Sequence, residues 1–258
     1  MSGVGSHAAG SLALGVGIGI GVLAFGPAAA AANPPAASKA AQAPPKEVVL
    51  SNGRTLSRWA YPHAAAIVRR TPSRAAHAVG RLHYLTEDGQ AEVYLALSKT
   101  RVPQTGVTWI KVALPKRPNN VSGWVAASAL GALHVVRGRL VVRRSKLRAT
   151  LYNGAGHAIW SAPVGIGRPS LPTPAGHFYL REKLRAIGSP IYGPYALGTS
   201  AYAPKLTDWP GGGVVGIHGT DQPQLVPGRP SHGCVRMRNA DITRLWRLIS
   251  IGTPIDVI

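Results

Sequence analysis

Glycine and proline interrupt this chain so often that few segments are long enough to form a regular helix. The 258 residues include 31 glycines and 22 prolines. Glycine raises the entropic cost of ordering a helix, and proline removes a backbone donor and clashes with the preceding turn. The composition therefore predicts many turns and short strands. Because there are only 2 phenylalanines, the core must rely on Val, Leu, Ile and Ala with a few Trp and Tyr.

A first group of predicted strands lies in residues 55–132. Its members are HAVGRLHYLT, AEVYLALSKT, TWIKVALP and GWVAASAL, and turn-rich sequences separate them. Several short strands in one small region favour a small barrel. The run WIKVALP…SGWVAASAL resembles the end of a bacterial SH3-like domain, in which a W-x-x-V strand leads into a G-W-V strand. That resemblance implies a wall-binding or spacer module, and a small β-domain that only packs is the alternative.

A second group of predicted strands and one helix lie in residues 133–258. LHVVRGRLVVRR, RATLYNG, AIWSAPVGIG and the final IGTPIDVI predict strands. The segment NADITRLWRLIS predicts a helix with Asn239 as its N-cap and Asp241 near its positive end. One face of that helix carries the apolar residues Ile242, Leu245, Trp246 and Ile249. The fold class predicted is thus mainly β, with one short C-terminal helix.

The N-terminal region predicts export. Residues 11–32 carry no charge and end in a run of small residues, as a secretory signal peptide does, although no Lys or Arg precedes them. A retained membrane anchor is the alternative for residues 1–32, because ~20 apolar residues can cross a bilayer. Residues 33–54, rich in Pro, Ala and Ser, predict a flexible linker. We therefore expect a protein of the periplasm, the cell wall or the cell surface.

The charge of the chain favours anionic surroundings. It has 29 Lys and Arg against 9 Asp and Glu, a formal net charge of +20. Nucleic acid, anionic lipid and acidic wall polymers all suit such an imbalance. No zinc finger, RNA-binding aromatic motif or leucine zipper accompanies the charge, and the export signal argues against nucleic acid. Anionic wall polymers are among the expected partners, and a cationic surface that only meets solvent is the alternative.

The only cysteine, Cys234, follows a histidine at 232 and stands sixteen residues after His218. A thiolate is a strong nucleophile, and a histidine within hydrogen-bond reach can generate it. His218 is the favoured base, because a turn often points the i−2 side chain of His232 away from the thiol. Two adjacent strand ends, by contrast, can bring His218 and Cys234 face to face.

The neighbours of the cysteine fit acyl chemistry. Gly233 permits a tight turn, and the amides around 232–234 can form an oxyanion hole. Arg236 lies on the same face as Cys234 if the segment is extended, where it can bind a substrate carboxylate. Two alternatives remain open. The thiol is an inert buried group, or it joins His218 and His232 as a metal ligand, for which no CxxC or HxxxH spacing is present.

Three stretches carry a family resemblance: TPAGHFYL (Thr173–Leu180), GIHGTDQP (Gly216–Pro223) and SHGCVRMRNAD (Ser231–Asp241). With them, residues 133–258 resemble the YkuD-type catalytic domain of L,D-transpeptidases, cysteine enzymes that cross-link peptidoglycan. The resemblance implies a mainly β, sandwich-like fold with Cys234 as acyl nucleophile and His218 as proton acceptor and donor. It also implies that the Gly219 carbonyl orients the imidazole, so that Asp221 is not needed as a triad acid.

The same resemblance implies the substrates. It points to 3→3 cross-linking of wall stem peptides through a cysteine thioester, without cofactor or metal, and to inhibition by carbapenem-type β-lactams. His232, Ser231 and Arg236 match motif positions. Tyr192, Tyr195 and Trp209 are candidates to line the donor groove, with simple packing as an equal alternative. The acceptor stays open between a second stem, a lipoprotein lysine, a D-amino acid and water, the last giving an L,D-carboxypeptidase. A non-catalytic wall-binding protein is the remaining alternative.

Overall fold

The computed structural model describes residues 46–185, 189–207 and 212–258, and within them two β-sheets and one α-helix. Residues 43–258 form one compact unit. The predicted signal peptide or anchor and Trp209 lie outside the described residues. No helix in the part described is long and apolar enough to cross a membrane.

The first sheet contains eight strands in the order β4-β3-β7-β6-β5-β2-β8, with β1 also paired to β5. Their bounds are β1 (Glu47–Val49), β2 (Ser57–Ala60), β3 (Ile67–Arg69), β4 (Ala78–Arg81), β5 (Tyr94–Arg101), β6 (Thr108–Ala113), β7 (Ser122–Ala126) and β8 (His134–Val136). The predicted W-x-x-V and G-W-V strands are β6 and β7. They pair antiparallel, with Trp109 opposite Ala126. The strand predictions in this region are confirmed, and the SH3-like identity stays a prediction.

The second sheet contains ten strands in the order β11-β10-β9-β18-β13-β14-β15-β17-β12-β16. Their bounds are β9 (Arg139–Arg143), β10 (Arg148–Tyr152), β11 (Ala158–Pro163), β12 (Gly165–Gly167), β13 (Gly176–Arg185), β14 (Tyr195–Tyr202), β15 (Val214–His218), β16 (Gly228–Ser231), β17 (Val235–Arg236) and β18 (Pro254–Val257). The helix α1 (Asn239–Leu248) contacts β14. Its residues Ile242 and Leu245 are fully buried in the core of this half of the chain. The mainly β fold with one short helix near the C-terminus is confirmed.

Three details differ from the sequence-based expectations. β1 lies inside the predicted linker, where Glu47 to Val49 pair with Ser98 to Thr100 of β5. β8, expected in the second half, pairs with β2 of the first sheet. Asn239 is not the N-cap of α1. Arg238 holds that position without a side-chain bond, because the Asn239 side chain accepts a hydrogen bond from the Thr220 amide instead.

A buried ion pair joins the two sheets. Arg181 of β13 donates from Nε to Glu92 Oε1 at 3.0 Å, and its Nη2 pairs with the other oxygen of Glu92. Glu87 Oε2 lies 2.9 Å from Nη1 of the same guanidinium. The Tyr179 hydroxyl also donates across this boundary, to the carbonyl of Val93 at 3.1 Å. Because Arg181 and Glu92 are each 2% exposed, solvent does not screen the two charges.

Arg181→Met tests how strongly the pair holds the two sheets together. We expect the free energy of unfolding to fall by about 3–5 kcal/mol, because the Glu92 carboxylate is left buried without its partner. Chemical denaturation followed by tryptophan fluorescence measures this change. The double variant Glu92→Leu/Arg181→Met removes both charges and should recover most of the loss. Equal destabilisation of the single and double variants would contradict this account.

Candidate active site

The site is built on two neighbouring parallel strands. β15 lies between β14 and β17, and its His218 stands opposite Arg236 in the parallel register. The Met237 amide extends the pairing by donating to the carbonyl of His218 at 2.8 Å. Because side chains alternate along a strand, Val215 and Ile217 enter the core while His218 faces the other way. Because β17 pairs with the last two residues of β15, the turn before β17 lies beside Gly216, two residues before His218.

The imidazole of His218 is held in one orientation. Its Nδ1 lies 2.6 Å from the carbonyl oxygen of Gly219. A carbonyl only accepts, so Nδ1 carries the proton and Nε2 is left as the basic nitrogen. The Tyr192 ring packs edge-on against the imidazole, with ring centroids 4.8 Å apart. Gly219 is thus the partner that the family resemblance implies, and Asp221 is exposed.

The turn before the cysteine is fixed by its own hydrogen bonds. The Ser231 hydroxyl donates to the carbonyl of Cys234 at 2.6 Å and accepts from the amide of Gly233 at 3.1 Å. Gly233 has φ of +132°, a left-handed value that a residue with a side chain rarely adopts. The hydroxyl of Ser231, predicted to bind substrate, is therefore engaged within the turn. The amide of Gly233 is likewise bonded in the resting protein.

Thr173 stabilises this turn through two hydrogen bonds of its hydroxyl group. Its hydroxyl donates to the carbonyl of Gly233 at 2.8 Å and accepts from the amide of Gly167 at 2.9 Å. Its side chain is almost fully buried, so water does not compete for these bonds. Thr173 begins the TPAGHFYL motif, and the sequence reasoning assigned no role to it.

The thiol lies against the strand that carries the histidine. The Gly216 amide donates to Cys234 Sγ at 3.4 Å, and Gly216 is two residues before His218 on β15. Burial raises the pKa of the Cys234 thiol, while the Gly216 hydrogen bond and the nearby Arg236 charge oppose that shift. The thiol is therefore protonated in the resting protein at neutral pH.

The histidine is also neutral at rest. Burial is the main cause that lowers the pKa of His218 to about 4, and the positive charge of Arg236 also lowers it. The hydrogen bond to Gly219 acts in the opposite direction and raises this pKa. Cys234 is thus a neutral thiol and His218 a neutral imidazole in the resting protein. Such an imidazole accepts the thiol proton only as the sulfur attacks, and the imidazolium so formed is a strong acid.

One cavity of about 210 Å³ contains both groups. Its remaining wall is mainly apolar and includes Ile191, Tyr192, Ala203, Leu206, Val214 and Val215. His232 and Arg236 also line it, and Arg236 Nε is buried without a hydrogen-bond partner among the described residues. Burial lowers the pKa of His232, and the charges of Arg168 and Arg236 add to that effect.

Of the three aromatic residues predicted to line the donor groove, the structure describes Tyr192 and Tyr195. Tyr192 lines the cavity, whereas Tyr195 stacks on Trp246 of α1 with ring centroids 4.8 Å apart. Tyr195 is thus a packing residue, because α1 covers β14 at this position. Trp209 lies outside the described residues.

Asn239 is a second residue whose role the sequence reasoning missed. Its Oδ1 accepts from the Thr220 amide at 2.9 Å, which ties the segment after His218 to the start of α1. A Cβ on Gly219 would lie 2.4 Å from that oxygen, so glycine is needed there. The only signal in the sequence was the position of Asn239 inside the SHGCVRMRNAD motif, and an asparagine there is equally typical of a helix cap.

Within the described ranges, no cluster of three His, Cys, Asp or Glu side chains is placed to hold a metal ion.

Comparisons with known proteins agree on one family. Residues 137–257 match the family model of the YkuD L,D-transpeptidase catalytic domain. The putative L,D-transpeptidase YkuD of Bacillus subtilis is 32% identical over 95 residues, which are 37% of this chain and 51% of that protein. The chain thus spans about half the length of that relative. The putative L,D-transpeptidase YqjB of the same species is 30% identical over 125 residues, 45% of this chain and 68% of that protein.

Two solved structures are also similar. The catalytic domain of an Enterococcus faecium L,D-transpeptidase acylated by ertapenem is 26% identical, with a TM-score of 0.36 over 46% of this chain and 95% of that chain. An L,D-transpeptidase from Mycobacterium tuberculosis is 16% identical, with a TM-score of 0.42 over 77% of this chain and 98% of that chain. The matched family model and the 30% identity across two thirds of YqjB place this chain in the YkuD-type L,D-transpeptidase family.

Proposed function

We propose that this protein is a peptidoglycan L,D-transpeptidase that cross-links stem peptides through a thioester on Cys234. One observation carries the proposal: the Cys234 thiol and the His218 imidazole line the same cavity. The hydrogen bond from Nδ1 to Gly219 O leaves Nε2 available as the base. Membership of the family supports the reaction class, and this geometry supports the residue roles proposed below.

Acylation begins at the carbonyl between the L-centre of a diamino acid and the terminal D-alanine of a tetrapeptide stem. The Cys234 sulfur attacks this carbon while His218 Nε2 takes the thiol proton. The tetrahedral intermediate then expels D-alanine, whose nitrogen receives that proton from the imidazolium. The low pKa of His218 makes this proton donation favourable. A thioester on Cys234 remains.

The cross-link forms in the second half of the reaction. An amine of a second stem attacks the thioester, His218 accepts its proton, and the sulfur leaves with the proton returned to it. The product is a 3→3 cross-link and free enzyme. Water as acceptor would give a tripeptide instead, so product masses from a purified disaccharide-tetrapeptide distinguish transpeptidase from carboxypeptidase action.

The charged and polar groups around the thiol have proposed roles in this reaction. Arg236, with its Nε buried and without a hydrogen-bond partner among the described residues, binds a carboxylate of the donor stem. The Cys234 amide is the first candidate for the oxyanion hole, because the Gly233 amide is bonded to Ser231 at rest. His232, at the edge of the same cavity, contacts the donor. Export to the wall, and anionic wall polymers as partners of the basic surface, belong to the same proposal.

Cys234→Ala tests the nucleophile. Incubation of the wild-type protein with ertapenem should give a single covalent adduct in intact-mass analysis, and the variant should give none because the sulfur is absent. The variant should also fail to convert the disaccharide-tetrapeptide. Its melting temperature serves as the control for folding. An adduct on a folded Cys234→Ala protein would exclude Cys234 as the nucleophile.

The pH dependence of acylation tests the base. A histidine of ordinary pKa, 6.5, would lose its basic form as the pH falls below neutrality, whereas His218 has a pKa of about 4. The ertapenem acylation rate should therefore stay within about twofold between pH 7 and pH 5 and fall only near pH 4. Stopped-flow fluorescence or quenched mass analysis gives the profile.

The matched control for that profile is His177→Gln. His177 is 86% exposed and pairs with Asp256 away from the cavity, so its removal should leave the profile unchanged. An acid limb centred near pH 6.5 in the wild-type protein would refute the assignment of a buried, neutral His218 as the base.

A further inference from the structure

The connection between β6 and β7 in the first sheet reaches the wall of the thiol cavity. Arg117 lies in this connection and binds three backbone carbonyls of the segment after β14. Its Nε and Nη2 donate to Ala203 O at 3.2 and 3.1 Å, and Nη2 also donates to Leu206 O at 2.9 Å. Its Nη1 donates to Gly212 O at 2.8 Å. One guanidinium thus ties together two stretches that are separate in sequence.

These stretches form part of the cavity that contains Cys234. Ala203, Leu206 and Gly213 line it together with the thiol. The Ala203 methyl also comes close to the catalytic turn, 3.6 Å from the position that a Cβ on Gly233 would occupy. A shift of this backbone would therefore change the shape of the space beside the sulfur.

The packing around the guanidinium leaves little freedom. Gly213 has φ of +79°, and a Cβ there would lie 2.1 Å from Leu206 O and 2.4 Å from Arg117 Nη2. The guanidinium carbon also stands over the Tyr202 ring, 5.0 Å from its centroid. Only a planar group with several donors can meet these carbonyls at once, which arginine does and lysine does not.

A second side chain of the same connection supports this anchoring. Asn119 donates from Nδ2 to the carbonyl of Tyr202 at 2.8 Å and accepts from the Tyr202 amide at 2.9 Å. Both backbone groups of Tyr202 are thereby held by the first sheet, immediately before Ala203. The Cys234 and His218 contacts, by contrast, are made within the second sheet and its turns.

We propose that Arg117 is a positioning residue for the acyl donor: it sets the wall against which the donor binds, without acting on the thiol itself. The inference rests on the proposed function. It makes donor recognition by the second sheet depend on a residue of the N-terminal half, for which the sequence reasoning expected only wall binding or spacing. Loss of Arg117 should weaken donor binding and leave the intrinsic reactivity of Cys234 unchanged.

The experiment compares two reagents on the full chain. Ertapenem must occupy the cavity before it acylates the sulfur, whereas iodoacetamide needs only the thiol. Because Cys234 is the only cysteine, alkylation reports on it alone. Arg117→Met should lower the second-order rate of ertapenem acylation between about tenfold and a hundredfold, since a small misplacement of a binding wall has such effects. KM for the disaccharide-tetrapeptide should rise more than kcat falls, and the alkylation rate should stay within about twofold of the wild-type rate.

Two further variants complete the design. Arg69→Met is the matched control, because Arg69 donates to a backbone carbonyl, that of Ala76, within the first sheet; it should behave as wild type with both reagents. Arg117→Lys keeps the charge and the long stem but cannot meet all three carbonyls, so it should give an intermediate acylation rate. This variant decides the question if Arg117→Met does not fold.

The outcomes separate the two proposals. A wild-type protein that ertapenem does not acylate overturns the proposed function, and the inference with it. Wild-type acylation combined with unchanged acylation in the Arg117 variants overturns the inference alone. Equal losses of acylation and alkylation would also overturn it, because Arg117 would then act on the thiol or on the whole fold.

Discussion

The parallel pairing of β15 with β17 is the interaction on which the proposed chemistry depends. It places the end of one strand beside the turn that starts the other, so that a base from the first and a nucleophile from the second share a cavity. The pairing is short, since β17 has only 2 residues. Three hydrogen bonds hold the strand ends and the turn in place. They run from the Met237 amide to His218 O, from the Gly216 amide to the Cys234 thiol, and from the Thr173 hydroxyl to Gly233 O. Acyl transfer requires this kind of precise placement of base and nucleophile.

Much of the site could be predicted because its residues are local in sequence. Cys234, His232 and Gly233 are neighbours, and His218 ends an apolar strand a short loop away. The supporting residues could not be found in this way. The Thr173 hydroxyl reaches a carbonyl 60 residues distant, and Asn239 reaches an amide 19 residues distant. A threonine after a proline-rich loop and an asparagine at a helix start both have common local explanations, so their long-range bonds leave no signal of their own.

The fold was predictable to a similar degree. β6 and β7 have the β-branched and aromatic residues that suit a half-buried strand. β14 was not predicted, because YALGTSAY shows no alternation and Thr199 is its only β-branched residue. It is a central strand whose side chains are almost all buried, and α1 contacts it. β1 and β8 were misplaced for a related reason: strands of 3 residues are defined by their partner, which the local sequence does not reveal.

The two halves of the chain are joined by polar side chains as well as apolar ones. The Glu92–Arg181 pair is enclosed between the sheets, and Arg117 and Asn119 bind backbone groups on the far side of the boundary. Polar contacts require particular angles, whereas apolar surfaces can slide. This boundary is therefore suited to fixing one relative arrangement of the strands it joins.

The protonated state of the lone thiol also affects how the protein survives before substrate arrives. Peroxides and other small oxidants attack thiolates in preference to thiols, and susceptibility follows thiolate character. Burial raises the pKa of the Cys234 thiol and so keeps the sulfur in its less reactive, protonated form. An oxidant that enters the cavity therefore reacts slowly with this sulfur, and in the proposed reaction the thiol loses its proton only as it attacks a bound carbonyl group.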